Sequence, residues 1–314
     1  MTDKKINQWL RRRFSAVGWV LIGYYLLMNL MVLLEVLQGE LIWVLRQYGG
    51  TPGAYGPAAE GAWGYIVATT VGFILLHAWK GGDFWREEVL SKENRMKPGV
   101  FLCLLILGMG AQMVNSFWVT GVEAVLNLFG MSAMGILQSV SGSADTLGMF
   151  LYASILAPVG EELLFRGYVL RSLKPFGKRF AIWGSAILFG VFHGNLLQTP
   201  YAILMGLLLG YVTVEYSIGW AVMLHLFNNL VLADLLTRLT YNWSDMAYGM
   251  LNMLLFGGSF LLALGILIQN RGNIRDYRSS EWIDRRVVKW FFLNTGVLVL
   301  MGIALVNMVS LLFM

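Results

Sequence analysis

Ala157-Pro158-Val159-Gly160-Glu161-Glu162-Leu163-Leu164-Phe165-Arg166-Gly167 puts two adjacent glutamates and an arginine into a stretch that is apolar from Met149 to Val159. An ionised side chain at the centre of a membrane helix costs roughly 2.5–3.5 kcal/mol on insertion scales. Three of them within six positions would cost about 7–10 kcal/mol if left unpaired. Such a burden implies charges that pair with one another, do chemistry, or both.

The rest of the chain supports a membrane setting for this stretch. Of 314 residues, 57% are hydrophobic and only 13% are charged, against about 25% charged in a soluble domain. Apolar segments follow one another from near Phe14 to the last residue, and no polar segment is long enough to fold separately. The expected fold is therefore all-α, a single polytopic transmembrane bundle over residues 1–314. Nine spans are expected, at about 15–38, 61–79, 99–119, 147–170, 180–196, 200–215, 218–237, 246–269 and 287–313, or eight with one lost. The first is longer than a signal-peptide core and lacks a small-residue cleavage site behind it, so it is expected to remain as a span. The single cysteine, Cys103, excludes an intrachain disulfide and any multi-cysteine metal site, and is read as packing.

Charge placement sets the orientation. With a cytoplasmic N-terminus, 20 of the 23 Lys and Arg residues fall on the cytoplasmic side, as the positive-inside rule requires. Arg46 and Arg238 lie outside that set, and Arg166 is the one within a span. The net charge of +5 thus follows topology and gives no sign of a nucleic-acid partner. Residues 125–140 are too short to cross and carry Gly130 and Gly135, so they are read as a re-entrant or interfacial segment on the outer face. Gly190-x-x-x-Gly194 and Gly206-x-x-x-Gly210 predict close helix contact, and the short turns between spans five, six and seven predict antiparallel neighbours.

The polar residues inside the spans are few. His77 ends a span near Lys80 and reads as interfacial, whereas His193 and His225 lie within apolar helices. Glu162 and Arg166 are four apart with the acid N-terminal, so they share a face and can pair as a brace. Glu161 lies about 100° further round and needs a partner from another helix. His225 and Asn229 are again four apart, and Pro158 removes a helix hydrogen bond just before the acids. Glu161 with His193 could hold and deprotonate a water while His225 and Asn229 stabilise an oxyanion. Glu161, His193 and His225 could equally ligate a zinc ion that activates the water. Asn195, Asn228 and Asp234 fit interhelical glue. On this chemistry alone a hydrolase, an ion-coupled transporter and a scaffold all remain compatible with the sequence.

Three segments in order, Glu161-Glu162-x-x-x-Arg166, Phe189-x-x-x-His193 and His225-x-x-x-Asn229, resemble the signature motifs of the CPBP family of intramembrane proteases, which includes the type II CAAX prenyl endopeptidases and the bacterial Abi proteins. The Ala157-Pro158 lead-in and the Phe165-Arg166-Gly167 finish resemble that family's first motif. The resemblance covers a core of about 147–237, leaving 1–146 and 238–314 as accessory spans. It implies that Glu161 and His193 activate water, that His225 and Asn229 serve the oxyanion, and that Glu162 and Arg166 support them. It implies a membrane-embedded or lipidated peptide or protein substrate, and leaves zinc as a possible cofactor. Some relatives of this kind act as immunity or regulatory partners without proteolysis. The charge pattern, without an organellar signal, reads as a bacterial inner membrane, where an unprenylated substrate is expected. No His-Glu-x-x-His, Gly-x-Ser-x-Gly or Gly-x-Gly-Asp motif of other intramembrane proteases occurs. The sequence sets no oligomeric state.

Overall fold

The computed structural model describes residues 3–48, 61–91, 94–133, 146–279 and 283–312, and these are helical apart from short connections. The elements are α1 (Asp3–Tyr48), α2 (Trp63–Lys80), α3 (Pro98–Asn127), α4 (Leu147–Phe176), α5 (Lys178–Phe192), α6 (Thr199–Glu215), α7 (Ile218–Leu239), α8 (Asp245–Gln269), α9 (Arg271–Ser279), α10 (Arg285–Phe292) and α11 (Thr295–Ser310). Among the described residues five helices, α1, α3, α4, α7 and α8, are long and apolar enough to cross a membrane. A sixth span results if α10 and α11, bent by 55° at their junction, count as one. The chain is thus a multi-pass helical protein. Leu26, Leu30, Leu33 and Leu37 of α1, with Leu261, Leu262 and Ile268 of α8, are exposed, a belt that suits lipid and not water.

Every segment expected to span contains helix, but 180–196 is helical only to Phe192, 287–313 is broken at 293–294, and three of the helices are short. α5 has 15 residues and α6 has 17, about 23 and 26 Å at the helical rise, less than the ~30 Å hydrocarbon core. α2, with 18 residues, also falls outside the set of five. α3 continues to Asn127 and ends in a turn, taking up the start of the 125–140 segment. Positions 134–140 of that segment lie outside the described residues.

Glycines set the helix spacing around the site. A Cβ on Gly206 would stand 2.9 Å from the Ala186 Cα, and one on Gly190 would stand 2.9 Å from the Thr199 carbonyl oxygen. α5 and α6 therefore pack antiparallel with their backbones nearly touching, and α6 packs against α7 in turn. Gly194 does a different job from the one its spacing suggested. With φ of +57° it ends α5, the left-handed position that a Cβ makes costly. Asn195 then continues the turn, its Oδ1 accepting from the Leu197 N–H at 2.9 Å.

Candidate active site

α4 carries the two glutamates and departs from regular helix on both sides of them. Tyr152–Leu156 and Leu163–Leu170 are wide, π-type turns flanking the α-helical Ala157–Glu162, a distortion often found at functional sites. Pro158 accounts for part of it. The Ala157 N–H donates five residues back, to the Tyr152 carbonyl. The next donor in that register would be residue 158, which as proline has no N–H. The Ala153 carbonyl accepts instead from Asn229 Nδ2 on α7, at 3.3 Å.

Glu162 and Arg166 pair within α4 at 2.9 Å, both fully buried. The same carboxylate oxygen, Oε1, also accepts from His225 Nδ1 at 2.9 Å. Since a carboxylate only accepts in this geometry, Nδ1 carries the proton and the ring is fixed. Its Nε2 then faces Glu161, whose Oε2 lies 3.7 Å away. Glu161 is the accessible acid of the two, with 29% of its side chain exposed against none for Glu162. The partner that Glu161 lacks on its own helix is thus supplied by α7.

His193 stands just past the end of α5, with its Nδ1 donating to the Phe189 carbonyl at 2.8 Å. A carbonyl only accepts, so Nε2 is the free ring atom. Among the described residues Glu161 and His193 form no ion pair with each other. The link runs from His193 through Phe189 to His225, the partner of Glu161. The Phe189 ring meets His193 and His225 edge-on, at centroid distances of 4.8 and 5.9 Å, and carries the Arg166 guanidinium 4.4 Å over its face. Phe189 therefore shields the buried cation and wedges both imidazoles.

Three groups on the margin of the site were not singled out by sequence. Tyr24 of α1 shares a hydrogen bond with Thr69 of α2 at 3.1 Å, and Tyr24 and Tyr152 both lie within coulombic range of Glu161. Gly160 admits α2 here, since a Cβ on it would stand 3.0 Å from Thr69 Cγ2. Tyr201 of α6 reaches Asn228, beside Asn229. Nothing in a single sequence marks Tyr24 as near an acid on a helix more than a hundred residues further on. Of the remaining polar residues, Asp234 pairs with Arg238 one turn on, and His77 is exposed and stacks on Trp85.

Residues 143–231 match the family model described as Type II CAAX prenyl endopeptidase Rce1-like. No curated protein and no solved structure matches the chain. The matched segment holds Glu161, Glu162, Arg166, His193, His225 and Asn229, and it includes all of α4, α5 and α6 and the part of α7 that carries His225 and Asn229.

Zinc can be tested against the donors. Among the described residues no three His, Cys, Asp or Glu side chains stand where one ion could bind them together. Each imidazole keeps Nε2 free, with Nδ1 held by Glu162 or by the Phe189 carbonyl as ligating histidines are, but these atoms and the Glu161 carboxylate do not gather around one point. The arrangement does not fit a zinc centre built from Glu161, His193 and His225.

Proposed function

We propose that the chain is an intramembrane endopeptidase that hydrolyses a peptide bond in a membrane-associated peptide or protein. The observation that carries this is the division between the glutamates: Glu162 is buried and already holds Arg166 and His225, while Glu161 is accessible beside His225 Nε2. A carboxylate left free at such a cost has work to do. The match to the endopeptidase family over the same residues supports that reading.

A water between Glu161 and His193 Nε2 attacks the scissile carbonyl carbon as Glu161 takes its proton. The carbonyl oxygen becomes an oxyanion, which accepts hydrogen bonds from His225 Nε2–H and an Asn229 Nδ2–H. For His225 to donate there while Nδ1–H stays with Glu162, the ring carries both protons. One imidazolium with Arg166 then balances the two carboxylates, which favours the arrangement in a medium of low dielectric. Collapse of the intermediate breaks the C–N bond, and the proton held by Glu161 passes to the leaving amine. Each step uses only side chains of this protein. In this reading nine spans cross a bacterial inner membrane with the N-terminus cytoplasmic, and α5 and α6 sit across a locally thinned hydrocarbon layer.

The test compares peptides released by cells carrying the native protein, Glu161→Gln or His193→Ala, each inserted to the same level. Peptides that depend on the native protein should fall by at least about 100-fold in both variants. Unchanged processing would overturn the protease reading and favour a scaffold. Assay of the purified protein on prenylated and unprenylated forms of a recovered peptide then decides the substrate class. Full activity after chelation is expected, and activity restored only by added zinc would contradict the donor geometry.

A further inference from the structure

The Asn229 amide has two ends that differ only in whether they donate or accept. An oxyanion is served by the N–H end alone. Something must therefore hold the amide one way round, and a chain of hydrogen bonds through Tyr201 and Asn228, neither of them a signature position of the motifs, does so. The Tyr201 hydroxyl donates to Asn228 Oδ1 at 2.5 Å, Asn228 Nδ2 donates to Asn229 Oδ1 at 2.9 Å, and Asn229 Nδ2 donates to the Ala153 carbonyl at 3.3 Å. The Ala153 end sets the direction, because a carbonyl only accepts; the Tyr201 hydroxyl, with no other hydrogen-bond partner among the described residues, completes the chain by donating to Asn228 Oδ1.

The surroundings are largely apolar. Asn228 is buried and is the one polar residue lining a crevice formed with Leu104, Leu208, Leu224, Phe227 and Leu232, while Tyr201 and Asn229 are half-buried. An amide among apolar side chains gains from each bond it makes. We infer that Tyr201 and Asn228 are positioning residues that fix the Asn229 amide with its N–H side toward Ala153 and the site. The second Asn229 N–H, not used by Ala153, is the one offered to substrate. The consequence for catalysis rests on the endopeptidase reading; the orientation itself does not.

Asn228→Asp keeps the shape and reverses the chain. Its carboxylate still accepts from Tyr201 but repels Asn229 Oδ1, so the Asn229 amide turns and presents oxygen to the site. Two measurements test the inference. The first is side-chain amide NMR of protein labelled with 15N-asparagine, with Asn228 and Asn229 assigned from the loss of signals in Asn228→Ala and Asn229→Ala. Tyr201→Phe should move the Asn229 amide signals although Tyr201 bonds to Asn228 and not to Asn229; signals left in place would overturn the inference whether or not the protein cleaves anything. The second is a double-mutant cycle on turnover of a recovered peptide. Tyr201→Phe should lower kcat about five- to tenfold with KM unchanged, and Asn228→Asp about 100-fold. Tyr201→Phe should cost nothing more once Asn229 is alanine. Additive losses would show that Tyr201 acts through packing and would overturn the inference. If Glu161→Gln leaves cleavage intact, the protease reading fails, while the NMR result still decides the orientation.

Discussion

Glu162 serves two partners, Arg166 and His225, with one oxygen, and that sharing separates its structural work from its part in the chemistry. Removing one member of a buried pair leaves an uncompensated charge and costs about 3–5 kcal/mol, whereas replacing both with apolar residues is often neutral. Arg166→Leu should therefore destabilise the protein by that amount, seen as a lower thermal midpoint in detergent. Glu162→Leu combined with Arg166→Leu should recover most of the midpoint. Cleavage should stay lost, because His225 then has nothing to hold Nδ1 and no fixed direction for Nε2. Recovery of both properties would mean that Glu162 only neutralises Arg166. The Glu162–Arg166 pair was legible from its spacing, since residues four apart share a helix face. The bond to His225 was not, because it joins positions 63 apart in sequence and depends on how α4 meets α7.

At the scale of the helix, the end of α5 decides where His193 points. Read as a small-residue motif, Gly190 and Gly194 look equivalent, and only Gly190 faces another backbone across the α5–α6 contact. Gly194 adopts φ of +57°, and a glycine there followed by Asn195 is a legible helix stop. The apolar run to residue 196 concealed it, because hydropathy measures burial and says nothing of φ. The same bias concealed the short length of α5, whereas α6 has the extent expected from 200–215. Gly194→Ala should cost about 1–2 kcal/mol for the left-handed conformation, and its Cβ would also press on Asn307 Nδ2 at 3.2 Å. Turnover should fall with it, since His193 precedes that residue and takes its position from the turn. Differential scanning fluorimetry and peptide turnover measure the two effects. Native turnover in a destabilised Gly194→Ala would show that His193 does not depend on the turn.

The two ends of the chain close the molecule around this site. α1 and α11 touch backbone to backbone: a Cβ on Gly18 would lie 2.3 Å from the Gly296 carbonyl carbon, and one on Gly296 would lie 2.4 Å from the Ser15 carbonyl oxygen. Next to that clasp Phe14 packs on Phe176 at 4.9 Å and on Phe291 at 5.6 Å, tying α1, α4 and α10 together. Further along, Asn307 of α11 donates to the Tyr25 hydroxyl at 2.7 Å and lies against Gly194. Tyr24 and Tyr25 in turn pack on Phe192. The clasp thus reaches the His193 turn through two layers of side chains, although α1 and α11 lie outside the segment that matches the family. A side chain at residue 18 has no flexible neighbour to displace, so the helices must separate. Gly18→Leu should cost at least about 1–3 kcal/mol as overpacking, and Gly23→Leu, with nothing within 4 Å of its Cβ, should cost almost nothing. Turnover should fall in Gly18→Leu and hold in Gly23→Leu at a temperature where both stay folded. If turnover holds in both while the Gly18→Leu midpoint drops, the clasp secures the fold without steering His193, and the terminal helices are accessory to the chemistry.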